Sequence, residues 1–177
     1  MFVWRGRNIF FVGFMGTGKS LVARRLAKRL GRRFVDTDCW IEHQANMSIA
    51  QIFATEGEAA FRQRERQAIA RACQEKELVI ATGGGAIVDG ENARTMKASG
   101  PVICLTARPE VILQRVQGDA TRPLLQGPNP LEKIQRLLAA RAEAYARADI
   151  TIDASSLGPD AVLEATLTAL AQSDSTV

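Results

Sequence analysis

The sequence predicts a three-layer α/β/α domain built on a five-stranded parallel sheet. Three observations carry that expectation. Short apolar runs alternate with helical patterns along the chain, the signature of successive β-α-β units. The run from Asn8 to Gly13, NIFFVG, is continuously apolar after its first residue, as a strand covered on both faces must be. Neither an internal repeat nor a linker-like shift in composition interrupts the alternation, so residues 1–177 are expected to form one domain.

The elements follow in order. After the first strand, Lys19 to Leu30 has helical spacing in Leu21, Val22, Leu26, Ala27 and Leu30, and Gly31 supplies the stop. Arg33 to Asp36 reads as a short second strand. Ser48 with Gln51 forms a capping-box pattern, which predicts a helix from about Ile49 to Thr55. Gly57 interrupts it, and a longer helix runs from Glu58 to about Glu75. Leu78 to Thr82 is a third strand closing on Gly83, Gly84 and Gly85. A helix over Glu91 to Ser99, a strand over Pro101 to Thr106 and a helix from Pro109 to Val116 follow. Glycine and proline crowd the stretch from Gly118 to Pro130, which predicts a mobile loop. Leu131 to Ala148 is a strong amphipathic helix, and Asp149 to Asp153 a fifth strand. Pro159 suits the first turn of a last helix ending near Gln172, and the tail from Ser173 is expected to fray.

Composition excludes several classes. Hydrophobic residues make up 46% of 177, enough for a core. No run approaches the roughly 20 apolar residues that span a bilayer, and the N-terminus lacks a signal-peptide pattern. Cys39, Cys73 and Cys104 are odd in number and widely spaced, and His43 is the sole histidine. A disulfide framework or zinc site is therefore not expected, and a reducing cytoplasm is the expected setting. Net charge is +4, and 18 of the 23 basic residues are arginine. Arginine forks match carboxylates and phosphates, so a small anionic ligand fits, although codon bias would give the same excess. Aromatics are only 6% and no basic run borders a stacking platform, which argues against nucleic acid. A monomer without membrane attachment is expected.

Gly13 to Ser20 reads GFMGTGKS and matches G-x-x-x-x-G-K-[ST], placed between a buried strand and a helix. Glycines let successive amides curl around phosphate oxygens, and the helix beginning near Lys19 turns its positive end toward the same anion. Lys19 reaches the β and γ phosphates, and the Ser20 hydroxyl can ligate magnesium. The motif predicts a nucleoside triphosphate with magnesium, held by Gly16, Thr17, Gly18, Lys19, Ser20 and Leu21. Many such proteins take a metal-side aspartate from the end of another apolar strand, but LVIAT runs into three glycines instead. Asp36-Thr37-Asp38 is the best alternative source, with one carboxylate near the metal and one near a substrate. A turn, or a helix N-cap at Asp38, is the competing reading.

Together these motifs resemble the shikimate kinase family. The phosphate loop, Asp36-Thr37-Asp38, Phe61-Arg62-x-x-Glu65, Gly83-Gly84-Gly85, Arg122-Pro123-Leu124-Leu125 and Arg141-x-x-x-Tyr145 occur in that family's order and spacing. The resemblance implies the phosphate-loop fold of nucleoside monophosphate kinases, with a substrate-binding segment over about 36–64 and a lid over about 116–130. It implies transfer of the ATP γ-phosphoryl group to the 3-hydroxyl of shikimate, in aromatic amino acid biosynthesis.

The resemblance also implies roles. Arg62 and Arg141 bind the substrate carboxylate, and forked donors suit that group. Asp38 accepts from substrate hydroxyls and is a candidate base. Asp36 stands near magnesium, alongside Ser20. Gly83, Gly84 and Gly85 let the backbone approach the substrate. Arg122, in the lid, meets the transferring phosphoryl group. Arg115 lies against the adenine, in a loop to which Ser155 and Pro159 contribute. Glu65, three residues from Arg62 on one helix face, either orients it or forms an ordinary solvated pair. Phe61 packs beside the substrate ring or in the core. Cys39 is expected to be a packing residue, Arg64 and Arg66 surface residues, and Arg108 has no assigned role. The nearest rival is a gluconate or nucleotide kinase of the same fold, and Arg62 and Arg141 with the triple glycine argue for a carboxylated ring and against a nucleotide acceptor.

Overall fold

The computed structural model describes residues 4–117 and 128–174. Five strands form one parallel sheet: β1 (Ile9–Val12), β2 (Arg33–Asp36), β3 (Leu78–Ala81), β4 (Val102–Thr106) and β5 (Ile150–Asp153). Their order is β2-β3-β1-β4-β5. The helices among the described residues are α1 (Lys19–Leu30), α2 (Thr37–Ala45), α3 (Ile49–Thr55), α4 (Gly57–Gln74), α5 (Gly90–Ser99), α6 (Pro109–Val116), α7 (Pro130–Tyr145) and α8 (Pro159–Asp174).

β1 is the central strand, and its four residues are fully buried. Strand side chains alternate between faces. Ile9 and Phe11 pack with Val22 and Leu26 of α1 and Val162 and Leu170 of α8. Phe10 and Val12 pack with Ile69 of α4, Met96 of α5 and Ile134 and Tyr145 of α7. The two clusters are the two interfaces of the three expected layers. β1 pairs with β3 on one side and β4 on the other. The chain therefore reverses direction across the sheet at β1, and such a switch point opens a crevice beyond the strand ends. The phosphate loop leaves β1 into that crevice.

A third, smaller cluster holds Ile41, Ile52, Phe61 and Ala68, with Phe53 against Phe61 at a ring separation of 4.9 Å. It ties α2 and α3 to the start of α4 and fixes the segment over about 36–64 beside the sheet. Phe61 is a residue of this cluster at 5% exposure.

The structure departs from the sequence reading in three places. α2 begins directly after β2, where no helix is expected. Asp36 is its N-cap, accepting from the amides of Asp38 and Cys39 at 3.1 and 3.5 Å, so the capping aspartate is Asp36 and not Asp38. Within α2 only Thr37 and Ile41 are buried, so no apolar stripe announces it. Leu21, grouped with the core positions of α1, is 46% exposed. Ser173 belongs to α8. The predicted loop 118–130 lies outside the described residues over 118–127, Arg122 included.

Asn8 anchors the end of the sheet remote from the crevice. Its amide donates to Ala72 O, Glu75 O and Ser99 Oγ at 3.2, 2.9 and 2.9 Å. Its Oδ1 accepts from Leu78 N at 2.9 Å. One side chain thus joins the ends of α4 and α5 to the start of β3, at 1% exposure. Asn8→Ala removes four hydrogen bonds and leaves Leu78 N buried without its acceptor, and is expected to cost about 3 kcal/mol in urea unfolding.

Candidate active site

The phosphate loop is shaped by its first carbonyls. Gly13 adopts φ 128°, and a Cβ there would stand 2.2 Å from Leu105 O, so no other residue fits against β4. Phe14 O accepts from the Thr17 hydroxyl at 2.8 Å and from Lys19 Nζ at 2.9 Å. These bonds curl the loop and lay the lysine, 9% exposed, along its inner edge. Gly18 takes the left-handed conformation that opens α1. Loop amides and the helix N-terminus then face one anion-binding hollow.

Arg115 of α6 braces the loop from outside. It donates to Gly16 O at 3.3 Å and to Ala154 O, beyond β5, at 2.8 Å. Ser155 closes the neighbouring turn, accepting from Arg108 N at 2.8 Å while its own amide donates to Asp153 Oδ1 at 2.8 Å. Arg108 thereby gains a backbone role at the start of α6. Arg115 touches the loop, Ser155 the turn before α6, and Pro159 opens α8; all three lie outside the lining of the cavity that the loop borders.

That cavity measures about 610 Å³ and runs from the phosphate loop to α4. Gly16, Gly18, Lys19, Ser20 and Leu21 line one end, which explains the exposure of Leu21. Thr17 is buried within the loop. At the bridge between the two ends, the Ser20 hydroxyl donates to Asp36 Oδ2 at 2.7 Å. Asp36 therefore caps α2 with one oxygen and meets the phosphate-loop serine with the other.

The other end is lined by Asp38, Arg62, Glu65, Gly83, Gly84, Gly85 and Arg141. Arg62 donates through Nη1 to Glu65 Oε2 at 2.9 Å and through Nη2 to Glu58 Oε1 at 3.0 Å. Glu65 is fully buried and Glu58 largely exposed, so the former fixes the guanidinium and the latter trims it. The Arg62–Glu65 contact is therefore a partly buried pair with a fully buried carboxylate, not the ordinary solvated pair, and it holds the guanidinium toward the cavity. Glu65 Oε1 has no hydrogen-bond partner among the described residues. Arg141 is 9% exposed and donates to Gly84 O at 3.3 Å.

The glycine run sits among these side chains at close range. A Cβ on Gly83 would lie 2.7 Å from Glu65 Oε1 and 2.9 Å from Asp38 Oδ1. A Cβ on Gly85 would lie 2.6 Å from Arg62 Nη1. The close approach of backbone at the glycine run is thus, in this structure, an approach to the side chains of Glu65, Asp38 and Arg62.

Sequence reasoning missed Glu42, Ile49 and Phe53, which also line the cavity. The capping box before Ile49 located α3 but not its inward face. Cys39 also lines the cavity and is exposed, so it is not the packing residue expected. Partial desolvation of the thiol against the cavity wall and the nearby charges of Asp36, Glu42 and Asp38 push it up, away from thiolate reactivity. Arg64 pairs with Glu56 and Arg66 with Asp89, at 2.9 and 2.6 Å, on the outer side of α4.

Residues 15–171 match the family described as shikimate kinase. A shikimate kinase of Symbiobacterium thermophilum is 50% identical over 143 residues, covering 80% of this chain and 82% of that one. One of Thermoanaerobacter pseudethanolicus is 44% identical over 158 residues, covering 89% and 92%. The structure of a shikimate kinase from Acinetobacter baumannii in complex with shikimate is 40% identical, with a TM-score of 0.89 over 97% of this chain and 96% of that one.

Burial pushes the Glu65 carboxyl above its usual range, and the Arg62 guanidinium pulls it back only in part. A carboxyl raised in the folded state favours folding below its unfolded pKa, and that contribution is lost as pH rises through the folded value. Wild type should therefore lose stability relative to Glu65→Gln as pH rises from about 4. Denaturant unfolding of both proteins across that range measures the difference, and a gap growing in favour of wild type would contradict the assignment.

Proposed function

The chain belongs to the shikimate kinase family, and from that premise we infer that it transfers the γ-phosphoryl group of ATP to the 3-hydroxyl of shikimate, in aromatic amino acid biosynthesis. The observation that carries the reading is one continuous cavity with a phosphate loop at one end and, at the other, two arginines and an aspartate around a glycine turn. The first end suits a triphosphate. The second suits a small ring bearing one carboxylate and several hydroxyls.

The division of labour follows from the residues. Loop amides, the α1 N-terminus and Lys19 hold the β and γ phosphates and neutralise charge as it shifts to the leaving oxygen. Arg62 and Arg141 take the shikimate carboxylate. Asp38, on the far side of the glycine turn from Arg62, accepts from the attacking hydroxyl and orients or deprotonates it. Gly83 to Gly85 bring backbone within reach of the ring. Arg122, outside the described residues, is assigned to the transferring phosphoryl group through its position in the lid motif. Phosphoryl transfer asks the protein mainly for alignment and charge.

Magnesium fits Ser20 and Asp36. Both offer hard oxygen donors within one hydrogen bond of each other, beside the loop. No cluster of three potential metal-ligating side chains of the His, Cys, Asp and Glu types occurs among the described residues. Ser20 and Asp36 are thus the residues that would hold the ion, a small protein share of the kind magnesium commonly takes. When bound, the ion neutralises charge on the β and γ phosphates. Arg115, which donates to Gly16 O of the loop, is assigned to the adenine together with Ser155 and Pro159.

Residues 1–177 work as a single domain and as a monomer in the cytoplasm, without nucleic acid or membrane as partner. Three free cysteines suit a reducing compartment. Among the described residues the large exposed hydrophobics are Leu21, Val88 and Leu157, and no helix is long and apolar enough to cross a membrane.

ADP release from magnesium-ATP should require shikimate, and a rate independent of shikimate would sink the acceptor assignment. Lys19→Ala and Asp38→Asn should each lower turnover at least about a hundredfold in the same assay. Near-normal turnover in either purified variant would remove that residue from the mechanism.

A further inference from the structure

Tyr145 ends α7 one turn beyond Arg141, on the same helix face. Both reach one oxygen. Tyr145 Oη donates to Gly84 O at 2.7 Å, and Arg141 Nη1 donates to it at 3.3 Å. The tyrosine is 7% exposed, packed among Phe14, Cys104 and Ala144 in the interface that covers β1. Burial pushes its phenol up to about 12, so the hydroxyl keeps its proton and remains a donor across the physiological range.

Gly84 is a meeting point. A Cβ there would lie 3.3 Å from Gly13 O and 3.5 Å from Met15 N of the phosphate loop, and 3.6 Å from Arg141 Nη1. The turn around it is also held by short bonds, from Ala86 N to Gly83 O at 3.1 Å, from Val88 N to Gly85 O at 3.0 Å and from Asn92 Nδ2 to Ala86 O at 3.1 Å. None of these bonds involves the Gly84 carbonyl or the Gly85 N–H, the two ends of the peptide between them. Glycines on both sides leave that peptide free to turn. In a trans peptide the carbonyl and the following N–H point in opposite directions. Holding Gly84 O toward α7 therefore turns the Gly85 N–H away from α7.

We propose that Tyr145 is a positioning residue of the acceptor site, which fixes the Gly84–Gly85 peptide through Gly84 O and sets the seat of Arg141 on that same oxygen. The proposal rests on the reading of Arg141 and the glycine turn as the shikimate-binding end of the cavity. Tyr145 touches neither substrate. It acts by preorganising the groups that do, so its loss weakens acceptor binding and spares the nucleotide. Phe14, beneath the Arg141 guanidinium at 5.6 Å, keeps the arginine near its place but offers no directional bond.

The test is steady-state kinetics on Tyr145→Phe with shikimate and ATP varied separately. Loss of one buried hydrogen bond should raise the KM for shikimate about three- to tenfold. The KM for ATP should stay within about twofold of wild type. Tyr145→4-aminophenylalanine, which keeps a donor on the ring, should return the shikimate KM toward wild type. An unchanged shikimate KM in Tyr145→Phe, an equal rise in both KM values, or no recovery with the amino variant would overturn the proposal. Should Tyr145→Phe fail to fold, Tyr145→3,5-difluorotyrosine replaces it, because its hydroxyl ionises at lower pH. Its shikimate KM should then climb at lower pH than in wild type, and coincident pH profiles would overturn the proposal. A wild type that turns over without shikimate is a separate failure, of the acceptor assignment itself.

Discussion

Between β3 and α5 the backbone at Gly83, Gly84 and Gly85 passes close to its neighbours: a Cβ at Gly83 or Gly85 would fall within 3 Å of a charged side chain, and one at Gly84 would stand 3.3 Å from Gly13 O. At Gly83 the neighbours are the carboxylates of Glu65 and Asp38, at Gly84 the phosphate loop, and at Gly85 the guanidinium of Arg62. This crowding joins the two halves of the cavity. Donor-side loop and acceptor-side arginines stand in fixed relation because each rests against the same short turn. A turn held from several sides also needs little rearrangement as the reaction proceeds, the condition under which fixed dipoles and charges act most strongly.

The crowding carries an electrostatic cost. Glu65 is a fully buried carboxyl, and burial of charge is unfavourable unless it is matched. Arg62 matches one of its oxygens. Asp38 Oδ1 and Glu65 Oε1 flank the same glycine, so two acids share a confined space. A carboxylate-bearing acceptor suits such a site only because Arg62 and Arg141 face the same cavity. The acids hold or orient the cations, and the cations set the sign of the pocket.

The sequence conveyed the parts whose chemistry is local. The phosphate loop, the buried β1 and the capping box at Ser48 each depend on neighbours in the chain, and each stands where expected. The carboxylate missing after β3 pointed to Asp36, which does meet Ser20. What stayed hidden depends on packing. α2 has almost no apolar stripe, so the helix that Asp36 caps left no periodic trace. Leu21 has the spacing of a core residue, and only the position of the cavity shows why it is exposed. Cys39 faces the cavity for the same reason. Glu65 was legible as a partner of Arg62, but its burial follows from the approach of Gly83, some distance along the chain. The contact of Tyr145 with Gly84 joins two motifs whose spacing says nothing about a shared oxygen.

The absence of a side chain at the glycine turn is what lets Glu65, Asp38 and Arg62 close around one cavity. Gly83→Ala tests it most directly, because the added methyl meets side chains rather than backbone and the fold can yield. Glu65 and Asp38 can move aside, and Asp38 would then leave the place it holds beside Gly83 in the proposed acceptor site. Shikimate-dependent ADP release should fall at least about tenfold in kcat/KM, while affinity for a fluorescent ATP analogue changes by less than about twofold. Wild-type kcat/KM in a folded Gly83→Ala protein, or an equal loss of nucleotide affinity, would contradict it.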